Sequence, residues 1–156
     1  MAESAESTVV YRSTRLRVLV FATALGLALL SILFWVALPA NLKAAFTLSQ
    51  AVTLLVILVF LVGALLVLGS GIVRAEPDVL YFRNGLSKHR YPWSQVDRVV
   101  LRPGDAWAQV LLVPQDRAVE EPADLEHRML MGIQKGDGQY ALDAVAELNR
   151  RADAHR

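Results

Sequence analysis

The sequence predicts an α+β membrane protein: a two-helix transmembrane hairpin, then a run of short antiparallel strands covered by one amphipathic helix. Three observations predict it. Residues 18–42 and 44–73 contain no charged residue. Beyond them, β-rich runs recur about every ten residues between turn signals. The final segment repeats small apolar residues at helical spacing. One soluble domain is the default for 156 residues, but the 54% hydrophobic content is concentrated in the first half.

Residues 1–17 form a polar N-terminal tail. Up to residue 14, "AESAEST" and its flanks lack hydrophobic periodicity, so this part is expected to be disordered. The spans are read at about 18–38 and 46–69, each near or above the ~20 residues that a helix needs to cross a ~30 Å hydrocarbon core. The first run is too long for the apolar part of a cleaved leader, about 7–15 residues. Cleavage after Ala40 would also place Pro39 and Leu38 where small residues belong. The link "PANLKAA" carries only Lys43 and is too short for a domain. Arg12, Arg15 and Arg17 precede the first span, and Arg74, Arg83, Lys88 and Arg90 follow the second. Lys/Arg excess marks the cytoplasmic side, so both termini of this multi-pass chain are expected there.

Ala22 and Gly26 in the first span, and Gly63 and Ala64 in the second, are candidate helix-packing residues, because small side chains let backbones approach closely. They fit packing of the hairpin on itself or docking onto another membrane subunit. Thr47, Ser49, Gln50 and Thr53 open the second span. Neither span contains an ionisable residue, which argues against a pump or transporter. Trp35 stands near the end of the first span, where Trp commonly marks the outer interface.

From residue 71 to 156 the texture is that of a small domain. "IVRAE" is β-like and Pro77-Asp78 marks a turn. "VLYFR" and "LSKHRYPW" flank Asn84-Gly85, a hairpin signal that predicts a type I′ turn. Pro92 removes a ladder donor and suits an edge or a strand end. "SQVDRVVLR", "AWAQVLLVP" and "MLMGI" supply further strands, and residues 115–128 read as a long acidic loop. Asp137 is a plausible N-cap for a helix over about 138–152. Its stripe is read as Leu142, Val145 and Leu148, with Ala141, Ala144 and Ala152 beside them. Arg150 and Arg151 near its end complement the helix dipole.

Few chemistries are open to this composition. There is no Cys, hence no disulfide or thiolate site. His89, His127 and His155 are scattered without metal-ligand spacing. Glu120, Glu121, Asp124 and Glu126 share one polar loop, which reads as solvated or as a docking surface for a basic partner. No nucleophile elbow or phosphate loop occurs. A net charge of +1 gives no bulk attraction to nucleic acid. No catalytic residue, metal or cofactor is therefore expected. Trp93 and Trp107 each open a strand and are read as core.

The order of elements, and "GLSKHRYPWSQVDRVVL" at 85–101 in particular, resembles the bacterial pleckstrin-homology (PH)-like domain proteins, notably small actinobacterial membrane types. The shared pattern is a Gly-Leu turn, a basic strand, Pro-Trp and a hydrophobic strand, within a match over about 71–152. The resemblance implies a PH-like antiparallel β-sandwich or partly open barrel, capped by the last helix, with a binding or scaffolding role and no enzymatic activity. The expected setting is a bacterial inner membrane. The expected partners are membrane lipids and a protein, with the chain as accessory subunit of a larger membrane complex. A respiratory-chain assembly is one host, though no residue specifies it. Lys88-His89-Arg90 is similar to the Lys-x-Arg with which eukaryotic PH domains hold phosphoinositides. Arg74, Arg83, Lys88 and Arg90 are accordingly the candidate lipid or partner contacts. The alternatives are a lipid-sensing hairpin on the anionic leaflet and a merely solvated, positive-inside strand face.

Overall fold

A computed structural model describes residues 7–114 and 124–156. The chain opens with a strand, β1 (Val9–Tyr11), followed by α1 (Thr14–Ala37), the short α2 (Ala40–Ala45) and α3 (Leu48–Leu68). Six strands follow: β2 (Ile72–Ala75), β3 (Val79–Asn84), β4 (Ser87–Pro92), β5 (Val96–Val100), β6 (Trp107–Leu112) and β7 (Glu126–Gln134). Helix α4 (Gln139–Ala154) ends the fold.

Helices α1 and α3 are long and apolar enough to cross a membrane. Their large side chains, among them Leu19, Phe21, Leu33, Leu55 and Phe60, are exposed. Both helices are apolar all round and not along one stripe, the pattern of helices surrounded by apolar material. Ser13 caps α1 by accepting from the Leu16 N–H, and Thr47 and Gln50 form a reciprocal capping box on α3. The link expected as a turn contains α2. Trp35 meets Phe46 edge to face there, 5.5 Å between ring centroids.

All six expected strands form, in two antiparallel sheets ordered β1-β2-β3-β4 and β5-β6-β7. The sheets share one core, with Val73, Leu80, Phe82, Val99, Val110, Leu130 and Ile133 inside, and do not close into a barrel. Pro92 ends the edge strand β4, and Trp93 is buried, donating its indole N–H to the Glu76 carbonyl at 2.9 Å. Trp107 is only half-buried.

The sheets approach most closely where β7 meets β2 and β3. A Cβ on Gly132 would stand 2.8 Å from the Val73 nitrogen, and one on Gly71 would stand 2.8 Å from the Met131 carbonyl carbon. Two backbones meet there with no room for a side chain.

Four expectations need correction. Residues 9–11 are not disordered: "VVY" pairs antiparallel with Val73–Ala75 and removes the free edge of β2. Its β-branched and aromatic residues suit a strand, and α1 and α3 return the chain to the same place. The hairpin turn lies one residue later than expected. Asn84 pairs with Ser87, leaving Gly85-Leu86 as the two-residue loop. Of these two loop residues only Gly85 has positive φ (60°), so the turn is of the II′ kind and not I′. Asp137 does not cap α4; the N-cap is Gly138, after a 3₁₀ turn at Lys135–Asp137. The buried face of α4 is Ala141, Ala144, Leu148, Arg151 and Ala152, while Leu142 is 51% exposed. Three-residue steps drift off one face of a 3.6-residue helix, and alanines let α4 lie close to the sheet. Of the acidic segment, residues 115–123, including Glu120 and Glu121, lie outside the described residues. Glu126 begins β7.

Candidate functional site

The strand register places the four candidate cations on one face of the first sheet, in two rows. Arg74 and Arg90 both pair with Tyr81, from β2 and β4. Arg83 pairs with Ile72 on one side and Lys88 on the other. The second row lies two residues, about 7 Å, nearer the helices. The alternation that puts these cations outside puts Val73, Leu80 and Phe82 inside.

The rows differ in chemistry. Arg74 stacks over Tyr81, 5.6 Å from guanidinium to ring centroid. Arg90 pairs with Glu76 at 2.8 Å although its side chain is 66% exposed. Such an exposed pair contributes about 0.2–1 kcal/mol and neutralises one of the four charges. Lys88 is exposed, whereas Arg83 turns toward the helices and donates to the Ser70 carbonyl at 3.1 Å. The Arg83 Nε is buried with no acceptor. The three arginines among the candidates are therefore held by different partners: Tyr81 for Arg74, Glu76 for Arg90 and the Ser70 carbonyl for Arg83.

A different set converges where the helices meet the sheet. Arg12, Arg17 and Arg83 line a pocket of about 250 Å³ together with Ser70, Val20 and Phe21. Ser70 Oγ donates to the Val67 carbonyl at 2.7 Å, fixing the corner between α3 and β2. Arg15 is committed elsewhere, donating to the Gly136 carbonyl at 2.6 Å. In sequence Arg12 and Arg17 carry only the positive-inside signal. Their meeting with Arg83 depends on the β1–β2 pairing, which no local pattern announces.

The candidate helix-packing residues do not sit in the contact between α1 and α3. Val20 and Ala24 are the buried residues of α1, and Val20 meets Gly69, where a Cβ would come within 3.1 Å. Ala22 and Ala64 are exposed, and a Cβ on Gly26 or Gly63 would meet nothing within 4 Å. Further along, residues of α1 and α3 line an apolar groove of about 720 Å³, among them Leu27, Ser31, Trp35, Ala51 and Leu58.

Among the described residues, no group of three or more His, Asp or Glu could hold a metal ion. His89 stacks on Phe82, and His155 on Trp93. Burial, followed by the Glu147 charge, raises the Tyr11 phenol above its usual pKa. The Asp97 carboxylate raises that of Arg98.

An open pair of antiparallel sheets covered by a C-terminal helix, with a cationic outer face on the first sheet, makes a small α+β domain. The family model described as "Bacterial PH domain" matches residues 72–151, from β2 into α4. The chain belongs to that family. Strand β1 and helices α1–α3 lie outside the matched residues. No curated protein and no solved structure matches the chain.

Proposed function

We propose that this chain is a non-enzymatic, membrane-anchored scaffold or accessory subunit. In this reading α1 and α3 span a bacterial inner membrane, the PH domain lies on the cytoplasmic side, and a protein partner in a larger membrane complex is bound. The observation that carries it is the join between helices and domain. Only residues 69–71 separate α3 from β2, and only residues 12–13 separate β1 from α1. Ser13, Arg15 and Ser70 tie these corners to Gln134, Gly136 and Gly85. A domain joined this way has a fixed posture, as a scaffold needs. Ala22, Gly26, Gly63 and Ala64, outside the hairpin's own contact, leave a close-approach surface for a neighbouring helix.

Affinity purification of the full chain in mild detergent tests this. A constant set of subunits should persist through size exclusion. Gly26→Leu, which meets nothing in the hairpin, should lower their recovery roughly tenfold, about 1.4 kcal/mol. A chain that purifies alone, or a variant that keeps its partners, contradicts the reading. A second reading, contact with the anionic leaflet, is favoured by Arg83 and Lys88 lying in the row nearer the helices.

A further inference from the structure

The pocket at the helix–sheet corner has the makings of a ligand site. Its lining includes three arginines and no carboxylate. Arg12 and Arg17 have no side-chain hydrogen bond or ion pair among the described residues, whereas Arg90, Arg98, Arg128 and Arg150 all pair with carboxylates. Arg83 brings its Nε into the corner buried and without an acceptor. Guanidinium forks match phosphate oxygens in geometry and charge. One anion would both offset the mutual repulsion of the three cations and satisfy the orphaned N–H.

We propose that this pocket holds the phosphate of an anionic membrane lipid. Arg12, Arg17 and Arg83 surround the phosphate, and the rest of the lipid descends along Val20, Phe21 and Leu66. Those apolar side chains line the same pocket. Phe21 is exposed on the outside of α1, so the wall continues onto the apolar surface of the hairpin. A phosphate group alone would use the arginines and leave that wall bare. The site differs from the predicted hairpin contact, because Arg74 stacks on Tyr81 and Arg90 pairs with Glu76 one row away. It rests on the reading that α1 and α3 span the membrane.

Native mass spectrometry of the full chain in detergent tests the site, with phosphatidylglycerol, phosphatidylcholine and inorganic phosphate as separate probes. The chain should retain phosphatidylglycerol in preference to phosphatidylcholine. The double variant Arg12→Gln/Arg17→Gln should lose retention by roughly tenfold or more, since each cation near an anionic headgroup is worth roughly five-fold. Neither side chain makes a hydrogen bond or ion pair among the described residues, so the variant should melt like wild type. Arg74→Gln/Arg90→Gln should retain lipid like wild type. Unchanged retention in the Arg12/Arg17 variant, or an equal loss in the Arg74/Arg90 variant, overturns the site. Displacement of the lipid by inorganic phosphate at equal concentration overturns the lipid as its ligand. Alkaline-carbonate washing separates the two readings. A chain washed off membranes defeats the anchor and the site together, while a chain that stays, with unchanged variant retention, defeats the site alone.

Discussion

Asn84 ends β3 with its side-chain amide laid against β7. Oδ1 accepts from the Met131 N–H at 3.1 Å, and Nδ2 donates to the Met129 carbonyl at 2.6 Å. The side chain thus bonds like an added peptide unit between the two sheets. Asn84→Ala leaves the Met131 N–H unsatisfied and should cost about 1–3 kcal/mol. Asn84→Asp keeps the acceptor and loses the donor, so it should fall between alanine and wild type in a thermal melt. Asn149 does similar work on β5, bonding both backbone groups of Val99 at 2.8 and 2.9 Å and covering part of that edge. Arg151, only 4% exposed, pairs with Glu147 at 2.9 Å and donates to the Ala75 carbonyl at 3.1 Å. In sequence Asn84 reads as a turn residue, no motif singles out Asn149, and Arg151 reads as a dipole partner. Their partners lie 45–47, 50 and 76 residues away, respectively, so no local pattern exposes these roles.

At the scale of elements, the strands were legible because each is a short β-forming run between Pro, Gly or Asn-Gly signals. Trp93 was legible as core, and it is buried, although it begins a 3₁₀ turn (Trp93–Gln95) between β4 and β5 and does not open a strand as expected. Strand β1 was not legible, since "VVY" becomes a strand only when the hairpin brings it beside β2. The buried face of α4 was legible in Leu148 and the alanines beside it, but Leu142 is exposed and Arg151 joins the face instead. The crossing of β2 and β7 was equally hidden, because Gly71 and Gly132 look like ordinary breaks until the backbones meet. Gly132→Ala would force a Cβ to within 2.8 Å of the Val73 backbone. Overpacking of this kind costs about 1–3 kcal/mol. Chemical denaturation should show that loss for Gly132→Ala and almost none for Gly104→Ala, where a Cβ meets nothing within 4 Å.

At the scale of the molecule, two apolar helices and a PH domain share corners instead of a tether. Strand β1 leads into α1, α3 leads into β2, and those two strands pair with each other. Gly85, at the tip of the β3–β4 hairpin, lies against Val67 near the end of α3, where an added Cβ would stand 3.1 Å from Val67 Cγ1. The four candidate cations share one face of the first sheet, and their arrangement depends on this assembly. It gives Arg90 to Glu76, Arg74 to Tyr81, and Arg83 to the corner with Arg12 and Arg17. The scaffold reading and the lipid site both require the domain to keep one posture on the hairpin. The chain has no native cysteine, so Asn41→Cys and Ser94→Cys can carry a pair of spin labels, one on the helix–helix link and one beyond β4. In lipid bilayers the distance between them should form one narrow distribution. A broad or multiple distribution, as from a domain swinging on a linker, would contradict the account.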